Sequence, residues 1–177
     1  NSFFDNMGYF FSHNGYTVLD KRDIPDSMVH HTTAWGVDDE AAYNFCLQQF
    51  DKSYSKGTLF FNHLMTISNH RPYTYPDGRI DIPSSSQSMQ GGVKYTDYAI
   101  HKFLSYAEKK PWFKNTVFVL VADHCSRFAG KTDLPSTRFH IPCFIYSPEL
   151  VKPHFVELLP SHIALPPSFL RFLSFIF

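Results

Sequence analysis

The chain has 177 residues, enough for one domain with a real core, and its 44% hydrophobic and 18% aromatic content is that of a globular protein rather than a disordered one. Sixteen Lys and Arg balance sixteen Asp and Glu, so there is no electrostatic footprint for nucleic acid. Cys46, Cys125 and Cys143 stand far apart with no CxxC spacing, an odd count that forbids complete internal disulfide pairing and argues against a zinc-finger site.

The first fourteen residues mix aromatics with Asp5, Asn6 and His13, and Asn14-Gly15 then gives a stop signal, so the sequence predicts a short helix followed by a brief strand at 16–19. Residues 20–34, with Pro25 and mixed charge, read as loop. After Trp35-Gly36-Val37 come Asp38-Asp39-Glu40, acids that suit a helix N-terminus by capping and by the dipole, and Ala42, Phe45, Cys46 and Phe50 fall on one face. That predicts a helix over 39–51. Residues 58–67 are a buried-strand candidate interrupted by His63, ending in Ser68-Asn69-His70-Arg71-Pro72. The Pro-, Ser- and Tyr-rich stretch 73–90 is a long loop of the kind that is often functional. Val93, Ala99, Ile100, Phe103, Leu104 and Ala107 keep a 3.6-residue rhythm, predicting a helix over 92–110 that Pro111 stops.

The most informative run follows at once. Thr116 to Ala122 are β-branched, aromatic or aliphatic almost without interruption, which reads as a strand buried on both faces of a parallel sheet. Strands at 58–67 and 116–122 bracketing a helix predict a right-handed crossover, hence an α/β fold with a mostly parallel sheet flanked by helices. The run stops at Asp123 and His124. Chemistry in open α/β sheets gathers at the carboxyl ends of strands, and this pair can present a carboxylate oxygen and an imidazole nitrogen to a divalent cation. A third strand is expected at 140–146, with Cys143 in the core, and a last helix at 161–175. Gly130-Lys131-Thr132 is not a phosphate loop, because position 125 is Cys where that motif needs Gly. The chain opens at Asn1 with no initiator Met, signal peptide or membrane-spanning run, and it reads as a piece of a longer protein.

Five motifs in order then point the same way. Trp35-Gly36-Val37 followed by acids, Ser68-Asn69-His70-Arg71-Pro72, Val93-Lys94-Tyr95-Thr96-Asp97, Val121-Ala122-Asp123-His124-Cys125 with Ala129-Gly130-Lys131-Thr132, and His140-Ile141-Pro142 leading to Tyr146-Ser147-Pro148 resemble the lipoteichoic acid synthase-like sulfatase family of the alkaline phosphatase superfamily. The resemblance implies the C-terminal portion of a sulfatase-like catalytic domain, one domain over 1–177, in a protein that works at the extracytoplasmic face of the bacterial membrane or in the periplasm and is tethered by membrane helices. It implies metal-dependent transfer or hydrolysis of phosphate or sulfate esters, with an anionic, in some members lipid-linked, substrate.

Carried over residue by residue, the resemblance makes Asp123 and His124 the metal ligands, where the residues alone also allow a capping Asp123 and an ordinarily hydrogen-bonded His124, and it turns His70 to the substrate's anionic head, where the alternative is a loop histidine satisfied by backbone. Mixed oxygen and nitrogen ligation suits Mn²⁺ or Zn²⁺ and does not choose between them. Arg71 and Lys131 could add positive charge near the anion or serve as solvated surface. His140 could bind a second metal or the substrate, or could be a structural residue at a strand start.

Two features depart from the family. Its nucleophile and acidic ligand belong upstream of residue 1, and no Ser or Thr here sits in that context, so the fragment alone is expected to be inactive. Phe4 and Asn6 stand where glycerol-phosphate transferases place Trp and Arg, and losing a bidentate cation weakens the case for that substrate. The alternative, from a different class, is a non-catalytic envelope-binding domain that retains the fold.

Overall fold

Three consecutive acids begin the helix on which the larger part of the chain is built. In the computed structural model, which describes residues 2–126, 139–157 and 161–172, Asp38 caps this helix by accepting the Ala41 N–H at 3.1 Å, as a carboxylate at an N-cap should. The chain forms two compact units, Asn1–Phe113 and Lys114–Phe177.

In the first unit, a 3₁₀ turn at Phe4–Asn6 leads into α1 (Met7–His13), and two long helices follow, α2 (Asp39–Ser55) and α3 (Met89–Ala107). Tyr95, Ala99, Phe103 and Ala107 recur every four residues on α3 and are its buried stripe. That stripe packs on α2. Tyr43 stacks on Phe103 at 4.7 Å between ring centroids, and Phe50 meets both Phe103 and Trp112 edge-on. Asp51 accepts Lys110 Nζ at 2.6 Å and Trp112 Nε1 at 2.8 Å, tying the end of α2 to the turn after α3. A smaller cluster of Val37, Ala41 and Ala42 with Ile24, Val29 and Leu64 seals the start of α2.

The expected strand at 58–67 belongs to no ladder among the described residues. Phe60 stacks on Phe50 at 5.0 Å and Leu64 joins the core, while Leu59 and Phe61 are 96% and 78% exposed. The residues expected as a strand at 16–19 likewise belong to no ladder.

In the second unit, β1 (Phe118–Val121) pairs with β2 (Cys143–Tyr146), Phe118 opposite Tyr146 and Val121 opposite Cys143. The pair is antiparallel, and it is the whole sheet among the described residues, so the α/β character is seen there without the expected mostly parallel sheet and crossover. Continuous apolar runs report a wish to be covered on both faces; strand direction is set by connectivity, which hydrophobicity does not encode. β1 is also less covered than its composition suggests. Only Phe118 is buried, and Val119 and Val121 are 38% and 40% exposed. Cys143 lies on the exposed face of β2 rather than in a core. A 3₁₀ turn at His162–Ala164 leads into α4 (Leu165–Phe172), which begins close to where the last helix was expected.

Candidate functional site

The Ser68-Asn69-His70-Arg71-Pro72 turn is held from both sides by elements of the first unit. From below, the Asp39 carboxylate, fully buried, accepts the backbone N–H of Ile67 at 3.0 Å and of Ser68 at 2.9 Å, and the Asp39 N–H donates to Ser68 Oγ at 3.3 Å. Burial pushes the Asp39 carboxyl above the usual range, while the N–H groups of Ser68 and Ile67 pull it back. Asp38 does similar work one residue earlier, accepting the N–H of His30 and of His31 at 3.1 and 3.0 Å. The Tyr95 hydroxyl, from α3, donates to Asp38 Oδ1 at 3.3 Å and Glu40 Oε2 at 3.2 Å. The acids read from sequence as caps are also anchors for two histidine-bearing loops.

Glycine at the start of α3 makes room for this turn. A Cβ on Gly92 would sit 3.0 Å from Tyr73 and 3.3 Å from the Ser68 carbonyl, and one on Gly91 would sit 2.3 Å from the Tyr75 hydroxyl. From above, Trp35 lies against the imidazole of His70, ring centroids 4.2 Å apart, and its Nε1 donates to the Arg71 carbonyl at 3.1 Å. Phe4 in turn meets Trp35 edge-on at 5.2 Å. His70 Nδ1 donates to the same Arg71 carbonyl at 2.8 Å. A carbonyl can only accept, so the neutral ring carries its proton on Nδ1 and its lone pair on Nε2. His70 and Arg71 are both solvent-exposed.

In the second unit, the chain leaving β1 places Asp123 and His124 side by side at the strand's carboxyl end. Asp123 Oδ1 accepts the His124 N–H at 2.9 Å, and Asp123 Oδ2 lies 3.7 Å from His124 Nε2. His124 Nδ1 donates to the Cys125 carbonyl at 2.7 Å, which puts the neutral ring's lone pair on Nε2, the nitrogen turned toward Asp123. A second interaction fixing the far nitrogen is a recurring feature of ligating histidines. Both side chains are accessible, 69% and 56% exposed.

These two residues line a cleft of about 310 Å³ with Cys125, Phe139, Ile141 and His162. His140, between Phe139 and Ile141, is exposed and does not line it. Lys131 lies outside the described residues. His162 has no motif around it and was not legible from sequence. Its Nε2 donates to the carbonyl of Ala122 at 2.8 Å across 40 residues of chain, bracing the residue just before Asp123. No set of three or more His, Cys, Asp or Glu able to hold a metal occurs among the described residues. Asp123 and His124 together offer one oxygen and one nitrogen, fewer atoms than the four of an ordinary tetrahedral metal site.

A sulfatase family model matches residues 1–174. The chain belongs to the sulfatase family. Among its sulfatase-family relatives, lipoteichoic acid synthase of Staphylococcus saprophyticus is 31% identical over 71 residues, covering 37% of this chain and 11% of that protein. Phosphoglycerol transferase I of Citrobacter koseri is 26% identical over 99 residues, 51% of this chain and 12% of that one. Among solved structures, a protein in the alkaline phosphatase superfamily from Vibrio parahaemolyticus matches 96% of this chain and 41% of its own length with a TM-score of 0.88 at 32% identity. The lipoteichoic acid synthase LtaP of Listeria monocytogenes matches 86% of this chain and 42% of its own length, with a TM-score of 0.67 at 21% identity, a similarity of fold. This sulfatase-family chain thus spans well under two thirds of each of these relatives, and what it describes is an incomplete α/β fold of the alkaline phosphatase superfamily type.

Proposed function

We propose that the protein carrying this chain transfers or hydrolyses phosphate or sulfate esters at the cell envelope, using a divalent metal, Mn²⁺ or Zn²⁺, held in part by Asp123 and His124. The observation that carries the reading is the convergence of Asp123 Oδ2 and His124 Nε2 to 3.7 Å at the end of β1, with the imidazole oriented by the Cys125 carbonyl. One hard and one borderline donor, both accessible, fit such an ion. Bound there, it would supply Lewis-acid polarisation of the ester's non-bridging oxygen.

The chain's own residues do the rest of what the reading requires. His70 presents Nε2 to solvent while its Nδ1 is committed to the Arg71 carbonyl, so it can accept a proton when neutral or donate to an anionic oxygen when charged. Arg71, Lys131 and His140 are assigned to the substrate's anionic group, the first two by charge. The relatives named for lipoteichoic acid synthesis and phosphoglycerol transfer favour a phosphate ester on a lipid-linked carrier, in a membrane-anchored protein on the extracytoplasmic side. Among the described residues no helix is long and apolar enough to cross a membrane.

Two donors do not complete a metal sphere, and no Ser or Thr of this chain is assigned as nucleophile. The 177 residues alone are accordingly expected to turn over neither ester. The test is hydrolysis of p-nitrophenyl phosphate and p-nitrophenyl sulfate by the protein with its natural flanking sequence. Turnover that a chelator and Asp123→Ala each abolish supports the reading. Turnover by residues 1–177 alone would overturn the assignment of the nucleophile elsewhere, and a folded, inactive long form would favour a binding domain.

A further inference from the structure

Three contacts on one turn converge on a single atom's protonation. The Arg71 carbonyl accepts from His70 Nδ1 at 2.8 Å and from Trp35 Nε1 at 3.1 Å, and the Trp35 ring lies against the imidazole at 4.2 Å. Four residues on in the same segment, Asp39 grips the other end of the turn through the Ile67 and Ser68 N–H groups. The turn between these grips is closed by its own bonds, His70 N–H to the Ile67 carbonyl at 2.9 Å and Tyr73 N–H to the His70 carbonyl at 2.8 Å.

We infer that Trp35 and Asp39 are positioning residues for His70: the 35–39 segment is a two-point clasp that fixes the Arg71 carbonyl so that His70 holds its proton on Nδ1 and turns Nε2 outward. The inference deepens the reading that His70 faces an anionic group and rests on it. The physical logic lies in what each grip supplies. Asp39 is wholly buried, and a buried acceptor that satisfies two backbone donors cannot move without orphaning them, so it sets where the turn sits. Trp35 contributes a donor and a flat face, so it sets where the Arg71 carbonyl points and which ring rotation of His70 is allowed. An exposed imidazole without such partners would sample both tautomers and several rotamers. The clasp removes that freedom before substrate arrives, which is what preorganisation of a binding group means.

The test uses the protein with its natural flanking sequence, labelled with ¹⁵N-histidine, with His70→Gln to assign the ring signals. Long-range ¹H–¹⁵N correlation spectra distinguish the tautomers directly. Wild type is expected to show neutral His70 protonated at Nδ1. Trp35→Phe keeps an aromatic face but deletes the Nε1 donor, and should lose that signature, giving a tautomer mixture with an unchanged circular dichroism spectrum. Asp39→Asn keeps an acceptor for Ile67 and Ser68 and should keep the signature, whereas Asp39→Ala should lose it. Should Asp39→Ala fail to fold, Trp35→Phe decides alone. A native-like Trp35→Phe whose His70 ring signals match wild type would overturn the clasp. Inorganic phosphate titrated into the wild-type sample reports separately on the underlying reading: no movement of the His70 ring signals would sink the anion-facing role, whatever the variants show.

Discussion

Replacing Gly91 with Ala tests the close packing that seats the 68–75 turn against α3. Position 91 is in the first turn of the helix, so propensity alone favours Ala by about 1 kcal/mol. The structure sets a larger cost against it. The new methyl would lie 2.3 Å from the Tyr75 hydroxyl, over an ångström inside ordinary contact, with Ser88 Oγ at 3.1 Å and Ile82 Cγ2 at 3.2 Å closing the other sides. Tyr75 has nowhere to go. It is 2% exposed, its ring is stacked on Tyr95 at 4.9 Å, and retreat of the hydroxyl breaks its bond to the Ile82 carbonyl at 3.1 Å. Overpacking of this kind costs about 1–3 kcal/mol and the lost hydrogen bond about 1 kcal/mol, so the net loss is about 1–3 kcal/mol. Urea unfolding followed by circular dichroism should show the midpoint falling at constant slope. Tyr75→Phe removes the obstructing oxygen, so the double variant should cost clearly less than the sum of the singles. A Gly91→Ala protein as stable as wild type, or additive with Tyr75→Phe, would refute the reasoning.

Other predictions follow from named contacts. Tyr95→Phe strips the buried Asp38 and the half-buried Glu40 of a shared hydroxyl donor and should cost about 1–3 kcal/mol in the same unfolding assay. Burial raises the Asp51 carboxyl, but hydrogen bonds from Lys110 and Trp112 outweigh it and hold the group below its ordinary value. A depressed acid adds stability above its unfolded value of about 3.9 and loses it as pH falls through that region; Lys110→Met should therefore destabilise the protein at pH 6 by up to about 1 kcal/mol, the pair being partly exposed, and by less at pH 3. Burial pushes the Cys46 thiol up to about 11, leaving about one part in a thousand as thiolate at pH 8. Peptide mapping after iodoacetamide at pH 8 should find Cys46 alkylated last and the exposed Cys143 well before it.

Much of the helical half was legible because its signals are local. The acids at 38–40 marked the start of α2, observed at Asp39–Ser55, and the four-residue spacing of Ala99, Phe103 and Ala107 marked α3, observed at Met89–Ala107. Sheet order was not legible. Residues 58–67 and 116–122 are both rich in apolar side chains, yet within the described residues the first joins no ladder and part of the second pairs antiparallel with Cys143–Tyr146. The motif residues Asp123, His124 and His70 stood out by type and position. Their supports did not, because Asp39 on Ser68 and His162 on Ala122 act across 29 and 40 residues of chain, a distance at which no pattern in one sequence carries information. Trp35 stood out only as part of a motif, and its grip on the Arg71 carbonyl is visible only in three dimensions.

The central claim is that Asp123 and His124 grip a divalent cation, and calorimetric titration of Mn²⁺ and Zn²⁺ into the protein with its natural flanking sequence tests it most directly. The account predicts that Asp123→Ala and His124→Ala each weaken binding of at least one of these ions by tenfold or more, on the order of what even indirect supports of a metal site contribute, with the unfolding midpoint little changed because both side chains are exposed. Binding of both ions indistinguishable from wild type in the two variants would contradict it.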